Sequence, residues 1–366
     1  MKKTPNLLLA AILIASLISW SPSNKSGPEE ITEVRNIVLM IGDGMGLSTI
    51  YAAMTVSHNP FNIERCNMIG LQKTFSSDNY ITDSGAAGTA LASGNKTNNG
   101  EIGMDSQGKP VKSILEIAKE NGLATGLVST SAITDATPAS FVTHELSKNP
   151  EDIAKDFLKA DIDVFIGGGY DHFANRTDNL NLIESLKDRG YKVETSMNTL
   201  RKTTSLKLAG LTAPVNNPYR LDGRGDMLPA SSRKAIEILN KNPKGFFLMI
   251  EGSEIDLAAH AKDTPALIDE TIDFDDAVGE VLDFAKSDGH TLVVITADHE
   301  TGGVAIIGGN IRAHRAILDF PTKGHTAIMV PVFAYGPGAE KFGGIYDNTA
   351  LFQKFLASYG FEVLKQ

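Results

Sequence analysis

The fold of this chain is decided by residues 36–46, which read NIVLMIGDGMG. The first part of this stretch is apolar and of strand length, which is typical of a strand buried on both faces. Glycines follow, and residues 47–56 have a helical pattern. Asp43 therefore lies at the carboxyl end of a central strand, where ligands bind in open α/β sheets. The glycine spacing does not match a dinucleotide-binding loop, and a carboxylate there would repel a phosphate without a cation between them.

The same alternation of strand and helix continues through the chain. We predict further strands at residues 123–129, 162–166, 245–250, 291–296 and 328–335, and further helices at 110–121, 179–189, 229–240, 265–286 and 347–357. Residues 199–226 are less periodic and predict a small surface insertion. The pattern indicates the α/β class, with three α/β/α layers around a mostly parallel central sheet. We expect one catalytic domain over residues 24–366.

Composition narrows the classes of function. The formal net charge is −10, which argues against nucleic acid as a stable partner. The single cysteine, Cys66, excludes an intrachain disulfide. Residues 1–23 have a basic start and a short apolar run, and we interpret them as a signal peptide. An uncleaved membrane anchor is the alternative, although the run is short for a span. We therefore expect a periplasmic or secreted protein without a stable membrane span after signal removal.

Residues 81–90, ITDSGAAGTA, place a serine before a run of small residues. The run predicts a helix that starts at or near Ser84. A hydroxyl at that position lies among unpaired N–H groups at the positive end of the helix dipole, which suits an anion. The stretch alone leaves open that Ser84 is only an N-cap residue.

Potential metal ligands follow several of the predicted strands. Asp256 and His260 are four residues apart and share a face if their segment is helical. Carboxylate and imidazole together suit zinc, and carboxylate with hydroxyl oxygen suits magnesium. Because the carboxyl ends of these strands meet at one edge of the sheet, we predict a metal cluster there. The other candidates are Asp43, Thr137, Glu251, Asp298, His299 and His325.

These residues lie in six ordered motifs, at positions 41–46, 82–87, 135–139, 251–260, 296–303 and 324–326. The chain resembles the bacterial alkaline phosphatases. The resemblance implies hydrolysis of small phosphate monoesters through a phosphoserine at Ser84, and a homodimer. It also implies two Zn²⁺ and one Mg²⁺ per subunit: Asp256, His260 and His325 for the first zinc; Asp43, Asp298, His299 and Ser84 for the second; Asp43, Thr137 and Glu251 for magnesium, with Asp135 orienting the waters of that ion.

Two of the departures from the family bear on phosphate binding and on access to the site. Lys148 stands where relatives usually place an arginine that grips phosphate, and a lysine cannot form the same planar fork. Residues 305–323 are short where relatives carry a large lid, which suggests a more open site. Two other functions remain open from the motifs: a phosphodiesterase or related phosphoryl or sulfuryl transfer enzyme of the same superfamily, and an exported phosphate- or metal-binding protein without catalysis.

Overall fold

The computed structural model describes residue 1 and residues 33–362. The predicted signal peptide lies outside the described residues, except for Met1. Residues 33–362 belong to one compact unit built on a ten-stranded sheet. The fourteen strands of the described chain are β1 Asn36–Gly42, β2 Met68–Lys73, β3 Ala124–Ala132, β4 Val164–Gly168, β5 Lys192–Glu194, β6 Leu208–Leu211, β7 Phe246–Gly252, β8 Thr291–Thr296, β9 Glu300–Thr301, β10 Ala305–Asn310, β11 Arg315–Asp319, β12 His325–Thr326, β13 Val330–Tyr335 and β14 Gly344–Asp347.

Helices cover the sheet between these strands. Twelve α-helices occur in the described residues: α1 Leu47–Val56, α2 Ser84–Ser93, α3 Ile114–Glu120, α4 Ala136–Ala139, α5 Pro150–Ala160, α6 Tyr170–Ala174, α7 Leu182–Asp188, α8 Met197–Leu200, α9 Met227–Leu239, α10 Glu254–Ala261, α11 Thr264–Asp288 and α12 Thr349–Tyr359. Four short 3₁₀ turns lie at Asn62–Arg65, Arg220–Asp222, Ile311–Ala313 and Ala339–Phe342. None of the described helices combines the length and apolarity that crossing a membrane would require.

The main sheet has the strand order β14-β2-β13-β8-β1-β7-β3-β4-β6-β5. Its neighbours are parallel except at β13, which runs antiparallel to both β2 and β8. The prediction of a mostly parallel sheet in an α/β fold is confirmed. Strand β1 lies between β7 and β8, and Ile41 is paired with both Glu251 and Thr296. This central position brings the ends of three strands together.

Two apolar cores lie on the two faces of the sheet. Along β1, Ile37 and Leu39 pack into one core, and Val38 and Met40 pack into the other. All seven residues of β1 are buried. This division explains why the strand is apolar throughout rather than alternating, because a strand with helices on both faces has no side that meets solvent.

Residues 199–226 are not simply a surface insertion, and that prediction was wrong in part. They supply β6, Leu208–Leu211, which pairs with β4 on one side and β5 on the other. All four residues of β6 are buried. The sequence signal is weak because four residues are too few to show a period, and polar residues flank them on both sides.

Residues 305–319 form an exposed antiparallel hairpin of β10 and β11. The hairpin packs beside α1. Its apolar side chains Ile307 and Ile311 are largely exposed. The short segment noted in the sequence is therefore a two-stranded hairpin beside α1, and His314 near its tip lies 3.0 Å (Nδ1) from the backbone oxygen of Ser57 at the end of that helix.

Candidate active site

Ser84 is the first residue of helix α2, and Asp83 is its N-cap. The Asp83 carboxylate accepts a hydrogen bond from Ala86 N at 2.8 Å. The interpretation of Ser84 as only an N-cap is therefore wrong, because the residue before it fills that role and leaves the serine hydroxyl free to point elsewhere. Ser84 Oγ lies 3.2 Å from His299 Nε2.

Small residues allow α2 to lie close to the helix that carries Thr137. A Cβ atom built on Gly88 would meet Ser140 Oγ at 2.7 Å, a distance that no side chain could occupy without displacing its neighbour. Helix α2 is almost entirely buried after its first residue. The run of glycine and alanine after Ser84 is thus explained by close packing, and it holds the start of the helix in place.

One group of side chains lies around Ser84 and consists of Asp43, Asp298 and His299. His299 Nε2 lies 3.1 Å from Asp298 Oδ2 and 3.5 Å from Asp43 Oδ1. Asp298 Oδ1 accepts hydrogen bonds from the backbone N–H groups of Gly44 and of His299 itself. The structure therefore brings together the residues predicted for the second zinc.

Another group of side chains consists of Asp256, His260 and His325, and one ligand atom of each lies within 4.8 Å of the others. His260 Nε2 is 3.2 Å from Asp256 Oδ2 and 3.1 Å from His325 Nε2. Asp256 also comes within 4.8 Å of Asp43 and His299, so this carboxylate lies between the two groups. The residues predicted for the first zinc are likewise brought together.

The tautomers of the two outer histidines follow from their backbone contacts. His325 Nδ1 lies 2.8 Å from Thr82 O, and His260 Nδ1 contacts Lys323 O. A carbonyl oxygen only accepts, so each Nδ1 must donate a proton to it. In the neutral imidazoles each Nε2 then carries the lone pair, and the two Nε2 atoms lie 3.1 Å apart, so one cation can bind both once His260 has lost its second proton.

The residues predicted for magnesium lie on adjoining elements, since Asp43 follows β1, Glu251 lies on the neighbouring strand β7, and Thr137 lies on α4. Glu251 Oε2 accepts a hydrogen bond from Ser129 Oγ at 2.6 Å. Thr137 lies on α4, and its buried Oγ1 has no hydrogen-bond partner among the described atoms. Asp135 is the N-cap of the same helix and accepts from Ala136 N at 2.7 Å.

Lys148 lies beside the start of α2. Its Nζ is 2.8 Å from Asp83 Oδ2 and is partly exposed. A Cβ atom on Gly85 would lie 3.0 Å from Lys148 Cε, so glycine makes room for the lysine here. The ion pair lowers the pKa of Asp83 even though burial acts in the opposite direction. This ammonium group is therefore held by Asp83, the residue that precedes Ser84 at the start of α2.

The charge of the site is not balanced by the protein. Burial raises the pKa of Asp43, and the neighbouring carboxylates of Asp298 and Asp256 raise it further. Burial raises the pKa of Glu251 to about 8. Burial also lowers the pKa of His299, which keeps its imidazole neutral. The hydrogen bond that His260 Nε2 donates to the Asp256 carboxylate raises the pKa of His260 to about 9.

Cations would remove this imbalance. Asp43 Oδ1 and Asp298 Oδ2 are buried without hydrogen-bond partners among the described atoms. Buried polar atoms of this kind need an explanation, and a bound ion is one of the few available. The donor set of carboxylate and neutral imidazole suits zinc, and the carboxylates with the threonine hydroxyl suit magnesium. The residues present therefore fit the expected metals.

Sequence reasoning missed several residues that support this site. Thr301 Oγ1 lies 3.3 Å from His299 Nδ1 and donates to Asp256 Oδ1. Glu300 is buried and accepts hydrogen bonds from two backbone N–H groups. Both lie in the motif at 296–303, where their position next to His299 was the available signal.

The serine hydroxyl lies at a helix start and faces buried carboxylates and imidazoles at the carboxyl edge of a mostly parallel sheet. This arrangement is typical of metal-dependent enzymes of the phosphoryl-transfer class. The family model described as alkaline phosphatase matches residues 34–320. The chain belongs to the alkaline phosphatase family, whose members are metal-dependent. It is an enzyme that hydrolyses phosphate monoesters.

Named relatives agree with this membership. The chain is 36% identical to alkaline phosphatase 4 of Bacillus subtilis (strain 168), over 94% of this chain and 93% of that protein. It is 34% identical to the alkaline phosphatase of Escherichia coli (strain K12), over 89% and 86%. The solved alkaline phosphatase from the Antarctic bacterium TAB5 is 41% identical and covers 90% of this chain and 99% of its own, with a TM-score of 0.86. A variant of that enzyme, solved with Mg bound in its M3 site, also has a TM-score of 0.86 at 40% identity, covering 91% and 100%.

Proposed function

We propose that Ser84 Oγ is the nucleophile of the hydrolysis reaction. The observation that carries this proposal is the position of the hydroxyl: it lies 3.2 Å from His299 Nε2, beside the carboxylates of Asp43 and Asp298. In the first step a bond forms between Ser84 Oγ and phosphorus, the ester P–O bond breaks, and the alcohol leaves. In the second step water attacks the phosphoserine and releases inorganic phosphate, which restores the serine.

We propose two Zn²⁺ and one Mg²⁺ as the resident ions. The first zinc is held by Asp256, His260 and His325, and the second by Asp43, Asp298, His299 and Ser84. Magnesium is held by Asp43, Thr137 and Glu251, with Asp135 orienting its waters. When bound, these ions supply positive charge for the phosphoryl oxygens and lower the pKa of nearby hydroxyl groups. The magnesium of the TAB5 variant supports the presence of that ion in a relative with the same fold.

The protein's own groups position the substrate. The start of α2 presents the positive end of its dipole where the phosphoryl group must lie, because Ser84 is the first residue of the helix. Lys148 Nζ lies beside this helix start, held by Asp83, and contributes a single cationic contact to a phosphate oxygen. His299 is neutral, and Thr301 fixes its ring, so that its Nε2 faces the serine hydroxyl.

Three further proposals concern the surroundings of the enzyme. The signal-like residues 1–23 support export, so we place the enzyme in the periplasm or outside the cell. The net charge of −10 supports small phosphate monoesters, and not nucleic acid, as its partners. Exposed apolar side chains near the site, Leu47 and Tyr51 on α1 and Tyr80 before α2, support a homodimer that would cover them.

The test of the nucleophile compares Ser84→Ala with Ser93→Ala. Both serines lie on α2, but Ser93 Oγ donates to Thr89 O at the far end of the helix. We expect Ser84→Ala to lose turnover of a chromogenic phosphate monoester and to incorporate no label from a ³²P-labelled monoester in an acid quench, with its zinc content unchanged. Ser93→Ala should retain both activities. Labelling of Ser84→Ala at the level of the parent enzyme would show that another residue carries the phosphoryl group.

A chelator tests the metal proposal separately. The parent enzyme should lose turnover when its divalent ions are removed and recover it when Zn²⁺ and Mg²⁺ are restored. Elemental analysis should find two zinc ions and one magnesium ion per chain. Undiminished turnover by the metal-free enzyme would overturn the assignment of Asp43, His299 and their neighbours as ligands.

A further inference from the structure

Glu300 is buried directly beside the site, but it touches neither Ser84 nor the two metal-ligand groups. Its side chain is 3% exposed. Oε1 accepts a hydrogen bond from Val304 N at 2.8 Å, and Oε2 accepts one from Gly303 N at 3.2 Å. Oε2 also accepts from the hydroxyl of Thr326. No ion pair to Glu300 is found among residues 33–362, so three neutral donors are what satisfies this carboxylate.

Two of these contacts are local to the turn after Glu300, and the one from Thr326 joins two separate segments of the chain. Strand β9 contains Glu300, and strand β12 contains Thr326, and the two are antiparallel with Glu300 opposite Thr326. Each strand has only two residues, so few backbone hydrogen bonds hold their register. The Glu300 carboxylate adds a side-chain link across the pair and also fixes the turn that follows β9.

Each strand carries or directly follows a histidine of the site, since β12 begins with His325 and β9 follows His299. His299, which we propose as a ligand of the second zinc, precedes Glu300. His325, which we propose as a ligand of the first zinc, precedes Thr326. Their rings stack with centroids 3.6 Å apart. The distance between the two histidines therefore depends on the register of β9 against β12.

The site is built to admit this side chain. A Cβ atom at Gly46 would lie 2.5 Å from Glu300 Cγ, so only glycine at the start of α1 leaves space for the stem of the glutamate. Gly46 ends the motif that also supplies Asp43. The carboxylate is thus enclosed by the elements that carry ligands of both zinc groups.

We propose that Glu300 is a positioning residue that, through Thr326, holds His325 at a fixed distance from His299. This inference depends on the proposed function, because it takes both histidines as metal ligands. Glu300 acts on the affinity of the site for its ions and not on the reacting atoms. When a group that hydrogen-bonds a metal ligand is replaced, metal affinity commonly falls by about ten- to a hundredfold. Glu300 lies one contact further from the ligands than such a group.

The experiment measures zinc binding to the metal-stripped full chain by competition with a chromophoric chelator. Glu300→Gln keeps the size of the side chain but replaces one acceptor oxygen by an NH₂ group that cannot accept. Thr326→Val removes only the hydroxyl contact, and Thr326→Ser restores it. Asp275→Asn is the matched control. Asp275 is a buried carboxylate in the middle of α11, and it accepts hydrogen bonds from Asn62 N and Ile63 N, which are not proposed ligands.

We expect Glu300→Gln and Thr326→Val to weaken the binding of at least one zinc equivalent by about three- to tenfold, less than the loss of a group bonded directly to a ligand would cause. Thr326→Ser and Asp275→Asn should bind both equivalents as the parent does. The unfolding midpoint of the metal-free protein provides the second readout: Glu300→Gln should lower it no more than Asp275→Asn does. If Glu300→Gln does not fold, Thr326→Val still tests the link.

Two results would overturn the inference, and they differ from failure of the proposed function. Parent-like zinc affinity in Thr326→Val would show that the link does not hold the ligands. An equal loss of zinc affinity in Asp275→Asn would show that any lost buried carboxylate has the same effect. If the parent chain itself binds no zinc, the assignment of the metal ligands is wrong, and the inference is overturned with it.

Discussion

Removing the metal ions should make the stability of this enzyme strongly dependent on pH, and Glu251 supplies the magnitude. The Glu251 carboxyl group is 1% exposed, and burial raises its pKa from an ordinary 4.5 to about 8 in the metal-free fold. Between these two values the unfolded chain releases the proton and the folded chain retains it. Stability is therefore fully present below about pH 4.5 and is lost as the pH rises toward 8.

Each pH unit between the two pKa values lowers the free energy of unfolding by about 1.4 kcal/mol, so this one group accounts for a loss of about 5 kcal/mol. Asp43 should act in the same direction, because its pKa is also raised by burial and by the carboxylates around it. Bound cations reverse the effect, since they favour the ionised carboxylates in the folded state. The metal-loaded enzyme should therefore lose much less stability over the same range.

The assay is urea denaturation from about pH 5 to about pH 8.5, with the protein either metal-stripped or supplied with Zn²⁺ and Mg²⁺. The expected result is a midpoint that falls more steeply with pH in the stripped protein than in the loaded one. Glu254→Gln is the control. Burial raises the pKa of Glu254 to about 8 as well, but Glu254 is not one of the proposed ligands.

Because Glu254 titrates in both forms, its removal should flatten both curves equally and leave the difference between them unchanged. Parallel curves for the stripped and loaded parent enzyme would refute the reasoning. They would mean that the buried carboxylates are neutralised by something other than the cations.

The other predictions concern phosphate and metal affinity. Lys148→Ala should raise the inhibition constant of inorganic phosphate about tenfold, and Lys148→Arg should lower it because a guanidinium grips two oxygens; equal constants in both variants would place the lysine outside the phosphate contact. Gly85→Ala should raise the same constant severalfold with metal content unchanged, because the new methyl group would lie 3.0 Å from Lys148 Cε and displace it; an unchanged constant would argue against that contact. Asp256 raises the pKa of His260 to about 9, so zinc must displace a proton from His260 below that pH. Zinc affinity, measured by chelator competition, should therefore rise about tenfold per pH unit from pH 6 to pH 9. A flat profile would show that His260 is not protonated in the metal-free site.

The parts of the fold with a strong local pattern were predictable from the sequence. Strand β8 begins and ends where its apolar run does, at Thr291–Thr296. The buried strand before Asp43 and the helical spacing of Asp256 and His260 were also predicted correctly. Each of these signals lies within about ten consecutive residues, where apolar periodicity is informative.

Features that depend on distant contacts were not predictable. The four residues of β6 form a strand because β4 and β5 lie on either side, and nothing local shows this. The pairing of Lys148 with Asp83 joins positions 65 residues apart. Asp83, and not Ser84, caps α2, and the two are adjacent residues of similar capping tendency. Tertiary packing decided between them.

The donors of the site come from segments spread from Asp43 to His325, and no short stretch of the chain contains a complete set. A growing or partly folded polypeptide therefore cannot assemble either of the proposed ligand sets, and on this proposal capture of the ions follows closure of the sheet. Divalent ions then act on the last stage of maturation: they hold together only molecules that have already brought both ends of the chain to the same edge. A chain that crosses a membrane unfolded would carry no ions with it and would acquire them on the far side.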